Sequence, residues 1–137
     1  MHRLLTTTLV LALAAAPLQA QESKAAKYLA AQFIKQFCDG KGRFTPGGLV
    51  ETDLTGDGHK DLLLYSGGLS CANGMPACGA VYCDVDLYVR KGDLLEKAAG
   101  LNSQCAEVIP GHPPAIRLCH KDSGPWTVRW NGKTFDP

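Results

Sequence analysis

One short stretch of the chain carries the residue types and the spacing of a cation-binding loop. It reads DLTGDGHKD from residue 53 to residue 61. Calcium is bound by about six to eight oxygen atoms, and a tight loop supplies them from alternate residues. Gly58 stands at the sixth position, where the chain of such a loop must turn sharply. We therefore expect Ca²⁺ to be bound by the side chains or carbonyl of Asp53, Thr55, Asp57, His59 and Asp61.

In this loop His59 is expected to use its backbone carbonyl, and Asp61 to bind directly or through water. An EF-hand is excluded because Leu64 stands at the twelfth position, where a bidentate Glu is required. A turn without a metal is the alternative, since Asp and Gly are common in turns. Three carboxylates within nine residues repel one another without a cation. This repulsion favours calcium. A structural ion is favoured over a sensing one, because a sensor also needs an element that changes state.

The loop resembles the calcium loop of FG-GAP and VCBS-type repeats, in which a strand, a D-x-[DN]-x-D-G-x-x-D loop and an apolar strand follow in order. The similarity covers residues 49–67, with DLLLY as the second strand and Thr55 where Asn or Asp is commoner. It implies a structural ion inside a β-hairpin. The chain has one such unit, whereas a propeller needs several. The CANGMPACGAVYC stretch and the final W-N-G turn also resemble small exported bacterial proteins without an established activity.

The cysteines predict a disulfide framework. There are six of them, Cys38, Cys71, Cys78, Cys83, Cys105 and Cys119, and an even number in a short exported chain is typical of disulfide pairing. Buried free thiols are the alternative, and zinc is disfavoured because no CxxC motif is present. The PGHPP turn predicts a Cys105–Cys119 bridge between two paired strands. Cys71–Cys78 and Cys38–Cys83 are the remaining predicted pairs.

The start of the chain predicts export. Residues 1–20 have a basic start, an apolar run and Ala20 at the end, as in a secretory signal peptide. Removal of this segment leaves residues 21–137, which suffice for one domain with one modest core. We expect a periplasmic or secreted monomer without a membrane span. Lys and Arg nearly balance Asp and Glu over the whole chain, which argues against a nucleic-acid partner.

The hydrophobic pattern predicts an α+β fold. Apolar residues recur at helical spacing from Glu22 to Phe37, and period-two alternation marks Val81 to Arg90 as a half-buried strand. Further strands are expected at residues 48–52, 61–65, 94–97, 105–109, 116–120, 126–130 and 133–135. The predicted architecture is one N-terminal amphipathic helix on an antiparallel sheet or meander of about six to eight strands.

Few other residues could carry chemistry. Asp84 and Asp86 fall on one face of the predicted strand with Tyr82 and Tyr88, so they could form an acid pair about 7 Å apart. A solvated outer face is the simpler interpretation. The tryptophans of residues 126–130 are expected in the core rather than on a sugar-binding face.

Three functions follow from these patterns. The first is a non-enzymatic calcium module with an unknown protein or envelope partner. The second is an inhibitor of an exported enzyme that uses a rigid loop at residues 67–79. The third is a small hydrolase that depends on Asp84 and Asp86.

Overall fold

The computed structural model describes residues 22–137, so the predicted signal peptide lies outside the described part. These residues form one α-helix, one 3₁₀ turn and ten strands. Their bounds are α1 (Lys24–Cys38), β1 (Gly42–Phe44), β2 (Leu49–Thr52), β3 (Asp61–Tyr65), the turn Ser66–Gly68, β4 (Leu69–Cys71), β5 (Cys83–Lys91), β6 (Leu94–Ser103), β7 (Ala106–Ile109), β8 (Ala115–His120), β9 (Gly124–Trp130) and β10 (Phe135–Asp136). Within this range no helix has the length and apolar character that crossing a bilayer would require.

The strands form three antiparallel sheets rather than the single sheet that was predicted. The central sheet has the order β2-β3-β5-β6, a second sheet has the order β10-β9-β8-β7, and β1 pairs with β4 alone. Helix α1 packs on one face of the central sheet and the second sheet on the other. The prediction of a helix on antiparallel β-structure is confirmed at the level of fold class.

Strand β3 shows why a third layer is needed. Leu62, Leu63 and Leu64 are all fully buried, although neighbours in a strand point to opposite faces. Leu62 and Leu64 lie in the core beneath α1, and Leu63 lies in the core shared with the second sheet. A strand that is apolar on both faces must be covered on both.

Helix α1 is amphipathic, as predicted. The Ser23 side chain caps its first turn by accepting a hydrogen bond of 3.1 Å from the Ala26 N–H. Its buried face includes Ala26, Ala30 and Phe33. The helix ends at Cys38, and its C-cap residue Asp39 adopts a left-handed conformation with φ of 52°.

The outer face predicted for β5 is covered. Tyr88 is only 9% exposed and lies in the core beneath α1. Asp86 is 14% exposed, pairs with Lys97 Nζ at 2.9 Å and accepts a hydrogen bond of 3.3 Å from the Tyr88 hydroxyl. The prediction of a solvated face is therefore wrong for these two residues. The alternation in β5 indicated one buried face, but on the other face α1 covers Tyr88 and Lys97 pairs with Asp86.

The second sheet contains the aromatic residues that were expected in the core. Trp126 and Trp130 pack against the second core from the inward face of β9. The ring of Trp130 lies 5.1 Å from that of Phe135, centroid to centroid. The core interpretation of these side chains is confirmed.

All six cysteines form disulfides, in the pairs Cys38–Cys71, Cys78–Cys83 and Cys105–Cys119. The predicted framework and its Cys105–Cys119 bridge across the β7–β8 hairpin are confirmed. The other two predicted pairs, Cys71–Cys78 and Cys38–Cys83, are wrong. Cys38 ends α1 directly beside the end of β4, so its Cα atom lies 5.0 Å from that of Cys71.

Tyr88 gives the first testable prediction. Burial, reinforced by the Asp86 carboxylate, raises the pKa of Tyr88 to about 12. An unfolded tyrosine ionises near pH 10, so this stabilising contribution is complete below that pH and is lost as the pH rises toward 12. When urea unfolding is measured at several pH values between about 9.5 and 11, the free energy of unfolding of the wild type should fall more steeply with pH than that of Tyr88→Phe.

The matched control is Tyr28→Phe, because Tyr28 lies on the helix that covers Tyr88 and is itself 64% exposed. This variant should keep the wild-type pH dependence. Equal slopes for Tyr88→Phe and the wild type would show that the ionisation of Tyr88 is not linked to folding.

Candidate metal centre

The predicted cation loop connects β2 to β3 at one end of the central sheet. These strands are antiparallel, and Thr52 pairs with Asp61 at the last position of their register. Asp53 therefore leaves the sheet as Asp61 enters it. The predicted hairpin is confirmed, and the sheet holds both ends of the loop.

Asp61 anchors the loop to the sheet. Its side chain is fully buried, and Oδ2 accepts hydrogen bonds from the N–H groups of Leu54 at 2.8 Å and Thr55 at 3.1 Å. Oδ1 accepts a third from the Arg90 N–H at 2.8 Å. A carboxylate has about four acceptor positions, so these bonds leave room for about one further ligand. Asp61 is thus first a structural acceptor, with limited capacity to bind an ion.

Asp53 organises the turn itself. Its Oδ1 accepts from the Gly56 N–H at 2.7 Å, and its Oδ2 from the Gly58 N–H at 2.8 Å. Burial acts to raise the pKa of Asp53, but the N–H groups of Gly58, Gly56, Thr55 and Asp57 together hold it below its usual value. Gly56 and Gly58 have φ of 81° and 87°, which other residues adopt only with strain. The loop therefore requires both glycines and an ionised Asp53.

Asp57 is the exposed member of the cluster. Its side chain is 49% exposed, and Oδ1 accepts from the His59 N–H at 2.9 Å. Within residues 22–137, Oδ2 of Asp57 accepts no hydrogen bond. The His59 ring is 72% exposed, and its Nδ1 lies 3.6 Å from Asp57 Oδ1. Asp57 therefore has the most free capacity to bind a cation.

The three aspartates come together as predicted. Asp53, Asp57 and Asp61 each present a carboxylate oxygen, and these oxygens lie within 4.8 Å of one another. Two oxygens on one calcium ion are separated by at most twice the bond length, about 4.6 to 5.2 Å. The separations in this cluster are thus of the size found between oxygens that share one cation. Thr55 Oγ1 adjoins the cluster, 3.4 Å from Asp53 Oδ1, while the His59 carbonyl stays a predicted ligand.

Two features of the site were missed by sequence reasoning. Leu54, inside the loop, is fully buried in the core shared with the second sheet. Arg90, predicted on an open strand face, donates from Nε to the Lys60 carbonyl at 2.9 Å and lies 3.7 Å from Glu51 in a largely buried ion pair. The apolar Leu54 within a polar loop is the one sequence signal that could have indicated an anchored loop.

Arg90 and Glu51 also connect the loop to the helix. Glu51 accepts hydrogen bonds from the N–H of Ser23 at 2.9 Å and from its hydroxyl at 2.6 Å. Arg90 donates to the same hydroxyl at 3.0 Å. The N-cap residue of α1 and the end of the cation loop therefore share one partly buried polar network.

Comparison with known proteins finds no family model, no curated protein and no solved structure that matches the chain. The resemblance to FG-GAP and VCBS-type repeats therefore depends on the residues of the loop and its flanking strands.

The contrast between Asp61 and Asp57 gives the second prediction. In excess chelator, Asp61→Asn should lower the free energy of unfolding by about 3 kcal/mol, because an amide accepts the three buried N–H groups poorly. The matched variant Asp57→Asn should change it by less than about 0.5 kcal/mol, since the side chain is exposed. Urea denaturation measures both values. Equal losses would contradict the separate roles.

Proposed function

We propose that the protein is an exported, non-catalytic module that binds one Ca²⁺ ion in the loop from Asp53 to Asp61. The observation that carries this proposal is the convergence of three carboxylate oxygens within 4.8 Å at the end of a hairpin. All the proposed donors are oxygens, which suits a hard cation rather than a transition metal. The three negative charges supply the attraction, and the glycine turns bring the donors together.

The role proposed for the ion is to stabilise the fold. The loop lies where the layers meet, because Leu54 packs in the core of the second sheet and Arg90 connects β5 to the start of α1. A cation there offsets the repulsion between carboxylates that are fixed in place by the fold. Loss of the ion would therefore weaken the junction between layers and remove no chemical step.

Export is supported by the covalent structure. Three disulfides within a chain of this size are typical of the periplasm or the cell exterior, where thiols become oxidised. The signal-like pattern of residues 1–20 points the same way.

An inhibitor or other partner-binding module is the second candidate. The segment between β4 and β5 is held by Cys38–Cys71 at one end and Cys78–Cys83 at the other. It carries three exposed large apolar side chains, Met75, Val81 and Tyr82. A rigid apolar loop loses little entropy on binding.

A carboxylate-dependent hydrolase gains no support. Its predicted acid Asp86 is neutralised by Lys97 and accepts a hydrogen bond from Tyr88. The first contact joins β5 to β6 and the second lies within β5, so both explain this carboxylate as part of local packing.

The third prediction concerns calcium itself. Calorimetric titration of the chelator-stripped protein should detect one site with Kd between about micromolar and millimolar, as in extracellular calcium modules. At roughly 100 times Kd, calcium should raise the free energy of unfolding by about 2.7 kcal/mol. Asp57→Ala should lose most of this increase, and magnesium at the same concentration should produce a smaller one.

Asp122→Ala is the matched control, since this aspartate is 72% exposed and lies outside the cation loop. It should respond to calcium like the wild type. The absence of both heat and stabilisation would refute calcium binding. The ion would instead be catalytic if Asp57→Ala were as stable as the wild type in calcium but had lost a catalytic turnover that the wild type performs.

A further inference from the structure

A narrow cleft lies along one edge of β4. Its volume is about 280 Å³, and its lining comprises Leu69–Cys71 of β4, residues 74–77 after the following turn, and Thr45, Gly67 and Gly68. We call this cleft the β4 slot. Strand β4 pairs with β1 on its other side, and within residues 22–137 no strand pairs with the edge that faces away from β1.

The hydrogen bonds between β1 and β4 define which backbone groups face the open edge. Thr45 N–H donates to the Gly68 carbonyl at 2.7 Å, and Ala72 N–H donates to the Lys41 carbonyl at 2.8 Å. Backbone groups alternate in direction along a strand. Ser70, midway between these two bonds, therefore faces β1, and the residues on either side of it face away.

Two backbone groups on the open edge are left without a partner. Of the groups that point away from β1, the Leu69 N–H donates to the Ser66 carbonyl and the Cys71 carbonyl accepts from Gly74 at 3.1 Å. Within the described part of the chain, the Leu69 carbonyl and the Cys71 N–H have no backbone or side-chain partner. They form an acceptor and a donor that flank Ser70 on the same edge.

The segment of residues 74–77 does not supply hydrogen-bond partners for the two free backbone groups on this edge. Met75 N–H donates to the Asn73 side chain at 3.0 Å, and Pro76 has no N–H to donate. Beyond the turn at Gly74, no backbone hydrogen bond joins this segment to β4. The bridges Cys38–Cys71 and Cys78–Cys83 constrain β4 and this segment, so the slot is already formed before anything binds.

The lining identifies the chemistry of an occupant. From Leu62 to Cys83 the chain has no Asp, Glu, Lys, Arg or His, although 20% of all residues are charged. Met75, 56% exposed, lies at the rim of the slot. The charged side chain nearest to this lining is Arg43, which pairs with Ser70 across β1, and a cationic occupant would lose its hydration without gaining a counter-charge. Lipid tails would leave the free donor and acceptor unsatisfied, whereas an extended peptide supplies both partners.

We propose that the β4 slot binds an extended, uncharged segment of a partner protein by β-strand addition. The peptide backbone bonds to the Leu69 carbonyl and the Cys71 N–H, and its small side chains contact Ser70 and Met75, two exposed residues of the lining. This proposal supplies the class of partner for the module. It does not require the calcium ion, so the two proposals fail separately.

The probe is the blocked peptide acetyl-Thr-Val-Ser-Val-Thr-amide, titrated into ¹⁵N-labelled oxidised protein with calcium and again with chelator. We expect saturable shifts of the Leu69, Ser70 and Cys71 amide signals in both conditions. At saturation, hydrogen exchange of the Cys71 amide should slow at least tenfold. The same peptide with an N-methylated central serine, which has lost one donor, should bind at least tenfold more weakly.

Two protein variants separate the slot from other surfaces. Ser70→Lys places a charge on the exposed lining of the slot, opposite Arg43 of β1, and should weaken binding at least tenfold with only a small decrease in Tm. Thr127→Lys makes the same change on the exposed face of β9 and should bind normally. No shifts at millimolar peptide, shifts confined to other residues, or equal binding of the N-methylated peptide would overturn the proposal. Binding to phosphatidylglycerol vesicles without a peptide response would assign the surface to lipid and overturn it equally.

Discussion

The fold around the cation loop depends on one buried carboxylate. Asp61 is fully buried, and three backbone N–H groups, two from the loop and one from Arg90, donate to it. A buried carboxylate without such donors would cost several kcal/mol. The loop must therefore fold back over the start of β3, and β5 must lie beside it. This constraint places the other two aspartates within reach of one ion.

A second polar network extends this constraint to the helix. Arg90 contacts the Lys60 carbonyl, the Ser23 hydroxyl and Glu51. Ser23 is also the residue that caps α1. The start of the helix, the end of the loop and the edge of the central sheet are thus fixed together, so a cation at the loop would stabilise more than its own turn.

Local patterns predicted much of this arrangement from sequence. The hairpin around residues 53–61 follows from a glycine-rich acidic turn between apolar runs, and the Cys105–Cys119 bridge follows from strand pairing across a proline turn. The three aspartates were predicted as ligands for the same local reason. The Cys38–Cys71 bridge was not predicted, because it depends on how α1 packs beside β4, a contact between distant parts of the sequence.

The arrangement of the three layers could not be predicted from the sequence, for a related reason. Tyr88 and Asp86 have the polar atoms expected of a solvated face, yet α1 covers Tyr88, and Lys97 neutralises Asp86. An alternating pattern indicates that the two faces of a strand differ in polarity, but it does not indicate which element packs on each face. The role of Arg90 could not be predicted either, because it depends on a hydrogen bond from its backbone N–H to the Asp61 side chain on another strand.

If Asp61 holds the cation loop in place, the loop is already formed before an ion binds. Hydrogen exchange of the Leu54, Thr55 and Arg90 amides in chelator-stripped protein tests it most directly, because these three N–H groups donate to the Asp61 carboxylate. We expect exchange at least about 100-fold slower than in an unstructured chain, even without calcium. Unprotected exchange of Leu54 and Thr55 that becomes slow only after calcium is added would contradict it, and would show that the ion builds the loop.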